Sequence, residues 1–267
     1  MDNREAVADV GTDGVGWIEQ ELAGCQFADA RHGKRLQAVL GQFSRQIGGS
    51  IPWACQDWAN TKAAYRLFSN KRVSEQGILE GHLRATGERA AVAAVGAPVL
   101  VLHDTTTFTY HRSDVEAVGI LYRSYTRKDR TGLPQHYVVC GLQMHSSMVI
   151  TTTGTPLGLA AVHFWTRDRF KGCTAMKRKI NPTRVPIEEK ESMRWLNGVR
   201  KATAVLGRPK DCVHIGDRES DIYELFSMAQ QEGTHFLVRP ALTAWPAMDV
   251  IPLRARWKKC VSKACTG

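Results

Sequence analysis

Leu100-Val101-Leu102-His103-Asp104-Thr105-Thr106-Thr107 and, 113 residues further on, Val213-His214-Ile215-Gly216-Asp217-Arg218-Glu219-Ser220-Asp221-Ile222 decide how this chain folds. Each is an apolar, strand-like run that ends on an aspartate where the chain leaves a buried sheet. Two carboxylates delivered to neighbouring strand ends begin a site for Mg²⁺, a hard cation that takes oxygen ligands and usually keeps one or two protein carboxylates. Paired cations held in this way drive in-line attack on phosphodiesters.

Outward from these strings, the pattern is that of alternating strands and helices. Residues 99–103 read as a buried strand, and 137–144 and 148–152 are β-branched and apolar. Thr153-Gly154-Thr155 then turns the chain into 156–165. The stretch 112–134 is polar and basic and reads as irregular. A helix is expected over about 188–206, with Leu196, Val199, Thr203 and Leu206 as its apolar stripe. A strand follows at 213–216, then a helix over 220–231 with Ile222, Leu225, Phe226 and Ala229 inward, and a strand at 235–238. The order β-β-β-α-β-α-β predicts an α/β domain with a mixed sheet.

Upstream, the periodicity is helical. Leu36, Val39, Leu40, Phe43 and Ile47 fall on one helix face, while Arg31, Lys34, Arg35 and Arg45 fall off it. Ser50 caps a short helix with Pro52 in its first turn, residues 60–68 form a compact helix, and Ser74 caps another that runs to about Ala91. Trp53, Trp58, Tyr65 and Phe68 read as core of this small all-α module.

Composition narrows the classes. At 43% hydrophobic and 23% charged the chain reads as soluble and cytoplasmic, and no apolar run approaches the roughly 20 residues that span a bilayer. Seven scattered cysteines, with no Cys-x-x-Cys, argue against a disulfide framework or a zinc site. The net charge of +10 is uneven: residues 1–96 hold eleven Lys/Arg and eleven Asp/Glu, whereas 97–239 hold twenty against fourteen. The excess concentrates at 123–130 and 167–184, which suits a polyanionic partner or a solvated loop equally.

These residues resemble a family. The chain is similar to bacterial cut-and-paste transposases of the DDE type, in the insertion-sequence-four group with the Tn-five-like enzymes. The resemblance runs over about 17–239. It rests on Trp17-Ile18, Phe27-Ala28-Asp29-Ala30-Arg31 and Lys34-Arg35-Leu36. To these it adds Ser50-Ile51-Pro52 through Asp57-Trp58 to Thr61-Lys62-Ala63-Ala64-Tyr65-Arg66, then His103-Asp104-Thr105-Thr106, and Asp217-Arg218-Glu219-Ser220-Asp221-Ile222. Residues 1–16, with Asp2, Glu5, Asp9 and Asp13 among glycines, read by themselves as a disordered leader, while the resemblance implies a helical DNA-binding domain over 17–95 and a ribonuclease-H-like core over 97–239. That fold carries one acidic residue on its first strand and another just after its fourth. The matching residues, Asp104 and Asp217, would be catalytic and would hold Mg²⁺ or Mn²⁺. Arg31, Lys34, Arg35, Lys62 and Arg66 match positions in the DNA-binding domain and would contact phosphates of double-stranded DNA, the element's terminal inverted repeats.

The family's third carboxylate, a glutamate in a Tyr…Arg…Glu…Lys helix after a long insertion, has no counterpart here, so a truncated core is expected. Residues 240–267 lack helical or strand periodicity and read as the product of a frameshift after about Arg239, or as a genuine basic tail. Glu219 and Asp221 read as surface groups, Ser220 and Asp221 as caps of the next helix, and His103 as packed. Arg218 suits a phosphate or a nearby carboxylate. Two functions follow: a DNA transposase lacking its third carboxylate, or a non-catalytic DNA-binding relic or regulator. A monomer is expected, because the family's dimer contacts lie in a C-terminal region not recognisable here.

Overall fold

The computed structural model describes residues 16–111, 118–128, 134–167 and 186–240. Five helices come first: α1 (Gly16–Leu22), α2 (Ala30–Arg45), α3 (Ile51–Cys55), α4 (Trp58–Phe68) and α5 (Glu75–Ala93). Their starts are written in short polar side chains. Asp29, Ser50, Asp57 and Ser74 each take extended backbone and accept a hydrogen bond from a first-turn N–H of α2, α3, α4 and α5 respectively. Each such cap is worth about 1 kcal/mol. Leu36, Val39, Cys55, Ala64 and Leu67 close a small core under α2, α3 and α4.

Two expectations for this module fail. Ile47 lies beyond the end of α2 and is 90% exposed, because Gln46 already leaves the helical conformation. Trp53, Trp58, Tyr65 and Phe68 are not core: they are 67%, 76%, 51% and 43% exposed. Thr61, Ala64 and Leu67 occupy the inward side of α4 and leave Trp58, Tyr65 and Phe68 outside, while Ala54 and Cys55 do so on α3 and leave Trp53 outside.

The strands β1 (Val99–Tyr110), β2 (Ile120–Lys128), β3 (Pro134–Ile150), β4 (Pro156–Trp165), β5 (Cys212–Gly216) and β6 (His235–Val238) form one sheet. Helix α6 (Met193–Leu206) connects β4 to β5, and α7 (Tyr223–Glu232) connects β5 to β6. One edge of β3 pairs antiparallel with β1; the other pairs with β2 along its first half and with β4 along its second. On the far side of β1, β5 and then β6 add in parallel. The central path is therefore β4-β3-β1-β5-β6, with β3 alone antiparallel to the rest.

The order of elements matches expectation, with differences in detail. The basic stretch read as irregular contains β2, while 112–117 and 129–133 lie outside the described residues. The two strands expected at 137–144 and 148–152 are one, because the polar residues between them bond inward instead of breaking the strand. Helix α6 begins at Met193 instead of 188, since Lys190 is extended after a 3₁₀ turn at Ile187–Glu189.

Alternation on β1 sorts the sheet's faces. Val99, Val101 and His103 point to the helical layer, where Ala90, Ala160, Ala161, Val149, Ala202, Leu206 and Cys212 complete the core. A second cluster of Trp195, Leu196, Val199, Leu225 and Met228 joins α6 to α7. Helix α5 seals the outer edge of β4. Arg89 Nε donates to Leu157 O (2.6 Å), and His82 Nε2 accepts from Leu159 N (2.9 Å). Both side chains are held from α1 by Glu21, at 2.6 Å each. Edge backbone groups that would otherwise template further pairing are thus occupied. Among the described residues no helix is long and apolar enough to cross a membrane.

Candidate nucleic-acid interface and carboxylate pair

In the parallel register of β1 with β5, Leu102 lies opposite Ile215. Two residues further along each strand stand Asp104 and Asp217. Asp217 is still extended (φ −80°, ψ −167°), so the two residues stand at the same level of neighbouring strands. Adjacent strands run about 4.8 Å apart. Both residues are exposed. Asp217 Oδ1 accepts from Glu219 N (2.8 Å) and caps the 3₁₀ turn Arg218–Ser220. Asp104 makes no hydrogen bond or ion pair among the described residues. No group of three or more His, Cys, Asp or Glu that could hold a metal ion occurs among the described residues. Among the described residues the two carboxylates stand as a pair.

The neighbours of Asp217 depart from expectation. Ser220 is buried beneath Gly216 and donates to Asp217 O (2.6 Å), so it braces the turn and does not cap α7. The cap position of α7 is Ile222, without a side-chain bond, which removes Asp221 from that role as well. Glu219 is ion-paired with Arg194 of α6. Arg218 is exposed and has no ion pair among the described residues.

On the helical side of the sheet, His103 and His214 are buried in one hydrogen-bonded cluster, and a third buried histidine, His145, stacks on it. His103 Nε2 meets His214 Nδ1 at 2.8 Å, His103 Nδ1 meets Ser147 Oγ at 2.9 Å, and His214 Nε2 meets Thr203 Oγ1 at 3.2 Å. His145 stacks on His103, bonds Thr105 Oγ1 (2.9 Å) and meets the Trp195 ring edge-on. Burial disfavours the charged imidazole, so His103 titrates well below its ordinary value. Desolvation pulls His214 down to about 4. It does the same for His145, with help from Arg194 and against a smaller opposing pull from Asp217. All three are neutral at pH 7. The packed reading of His103 is correct; the other two partners were missed. Their signal was polar residues at the inward positions of otherwise apolar strands.

Beside this cluster runs an open cleft lined by Thr105, Thr107, Gln143, Arg167, Arg194 and Glu219. Arg194 donates to Thr105 Oγ1 (3.1 Å) and lies over the rings of Trp165 and Trp195. Arg167 forks onto Glu191 at 2.6 and 2.8 Å, so this first cation of the basic segment is neutralised within the protein. Residues 168–185, the rest of that segment, lie outside the described residues, as do 1–15 and 241–267.

The helical module holds the cations differently. Arg31 is 88% exposed yet forks back onto Asp29, whose carboxyl is held at about 2 by that hydrogen bonding. Arg35 is half-buried and donates to Asn60 Oδ1 (3.3 Å), tying α2 to α4. Lys34, Lys62 and Arg66 are exposed and make no ion pair among the described residues. Three of the five cations thus stand free for a polyanion, and two are engaged in the module's own structure.

Residues 15–73 match the family model for transposase DNA-binding. The match covers α1 to α4 and supports DNA binding by a transposase. This DNA-binding module contains all five of the cations singled out upstream of the sheet. No curated protein matches the chain.

Proposed function

We propose that the chain is a DDE-type transposase of the insertion-sequence-four group, with a helical DNA-binding module followed by a ribonuclease-H-like core. The observation that carries the reading is the transposase DNA-binding match over 15–73. The core assignment is supported by the strand path β4-β3-β1-β5-β6 with one antiparallel member. With β2 set aside as an insertion, Asp104 sits on the first core strand and Asp217 directly after the fourth. Two exposed carboxylates at one sheet level fit a hydrated Mg²⁺ or Mn²⁺, which needs only one or two protein oxygens. Such an ion would activate water and stabilise a leaving 3′ oxygen of DNA. Asp104 and Asp217 would hold it, and Lys34, Lys62 and Arg66 would bind phosphates of the element's inverted repeats, with Arg218 adding a cation beside the carboxylates. With a pair of carboxylates in place of a set of three, strand cleavage is expected to be weak and DNA binding to be the robust activity of the monomer.

The test combines duplex binding with Mn²⁺ titration. The wild type should bind a mixed-sequence duplex with strong salt dependence, and Asp104→Ala and Asp217→Ala should each weaken Mn²⁺ binding while leaving duplex affinity in Ca²⁺ unchanged. Failure to bind duplex at 50 mM salt would remove the transposase reading. Unaltered Mn²⁺ affinity in both variants would remove the metal site alone.

A further inference from the structure

The outward stripe of α4 carries two large rings that the fold does not use. Trp58, Lys62 and Tyr65 follow at i, i+4 and i+7, so they share one helix face. Arg66 lies at its flank. The opposite face, Thr61, Ala64 and Leu67, is buried against α2 and α3. Trp58 is 76% exposed and Tyr65 is 51% exposed, values that contribute little to the module's stability. Asp57, the acidic residue at the head of the stripe, is engaged in capping: it accepts from Asn60 N at 2.7 Å and from Asn60 Nδ2 at 2.6 Å. The exposed face is therefore aromatic and cationic.

We infer that this stripe is a DNA-contact surface on which Trp58 and Tyr65 lay ring surface against deoxyribose and thymine methyl groups while Lys62 and Arg66 take the flanking phosphates. The inference rests on the DNA-binding reading above and adds to it a contact that is not electrostatic. Charge selects the partner: unpaired cations among exposed rings suit a polyanion that also offers apolar surface, and duplex DNA has both in its phosphates and its sugar and thymine-methyl carbons. Size agrees. From Trp58 to Tyr65 the helix rises about 10 Å, and a major groove about 12 Å wide admits a helix.

The two kinds of contact separate by salt. Each phosphate contact contributes about −0.9 to the slope of log K against log salt, whereas an apolar ring contact contributes none. Full-length wild type, Trp58→Ala, Trp58→Phe, Tyr65→Ala and Lys62→Ala are titrated with a mixed-sequence duplex between 50 and 200 mM salt, with circular dichroism on each. Trp58→Ala and Tyr65→Ala should each weaken binding by about 10-fold, as expected for burying about 50 Å² of apolar ring surface, with the slope unchanged, and Trp58→Phe should restore most of the affinity. Lys62→Ala should flatten the slope by about one. A flattened slope for Lys62→Ala with unaltered affinity in both alanine ring variants overturns the aromatic contact and leaves DNA binding standing. No duplex binding by the wild type overturns the reading beneath it. A wild type that dimerises at micromolar concentration, with Trp58→Ala monomeric, also overturns the inference, since the stripe would then join two copies of the chain.

Discussion

Gly158 is the residue on which the junction of helix and sheet turns. Its φ of +133° lies where side chains are strained, and a Cβ there would stand 2.2 Å from Thr86 Oγ1 on α5. The absent side chain is what lets α5 come close enough for Arg89 and His82 to reach the flanking backbone of β4. Gly158→Ala should lower the free energy of urea unfolding by about 2 kcal/mol or more, from backbone strain plus displaced packing. An alanine variant within about 0.5 kcal/mol of wild type would show that the edge adapts. At this scale the sequence was unevenly legible. Ser50 and Ser74 announced their helices, and Asp104 and Asp217 announced themselves by ending apolar runs. The exposure of Trp58 was hidden, because an aromatic residue carries no mark of which side of its helix a neighbour will cover.

Strands and helices were legible where the pattern was apolar and illegible where polar groups were buried. His145-Ser146-Ser147 looked like a break, yet β3 runs straight through it, since His145 bonds Thr105 and Ser147 bonds His103 across the ladder. The histidine cluster ties β1, β3, β5 and α6 together with rings that burial keeps neutral. The sign of its pH dependence follows from where the protons go. His145 and His214 titrate at about 4 in the folded chain, below the ordinary value of 6.5, so between those pH values the unfolded chain binds more protons. Stability present above pH 6.5 is therefore lost as pH falls toward 4, by up to about 1.4 kcal/mol per pH unit for each ring. In urea titrations from pH 7 to 4, His145→Asn should remove about one proton from that slope whatever its effect at pH 7. An identical slope would mean that His145 titrates normally.

At the scale of the whole molecule, the mixed sheet and the helical module ahead of it were readable from the change of period near Pro98. Their junction was not, because Glu21 lies 61 and 68 residues from His82 and Arg89, β4 lies as far again beyond them, and none of the three interrupts a pattern. That junction constrains any DNA the molecule holds. Glu21 grips His82 and Arg89 together, and those two grip β4, so swinging the module away from the sheet breaks both polar contacts to β4 at once, each on a side chain that Glu21 holds in place. On the proposed reading the molecule is a caliper with a locked jaw. One jaw is α4, the other the strand ends at Asp104 and Asp217, and the gap between them is a constant of the fold. DNA has a phase as well as a length: each added base pair moves the next one by 3.4 Å and about 34°. Footprints on a duplex with one or two base pairs inserted between the two contacts should keep protection at one and lose it at the other, whereas a full turn of about ten should restore the angle but not the reach.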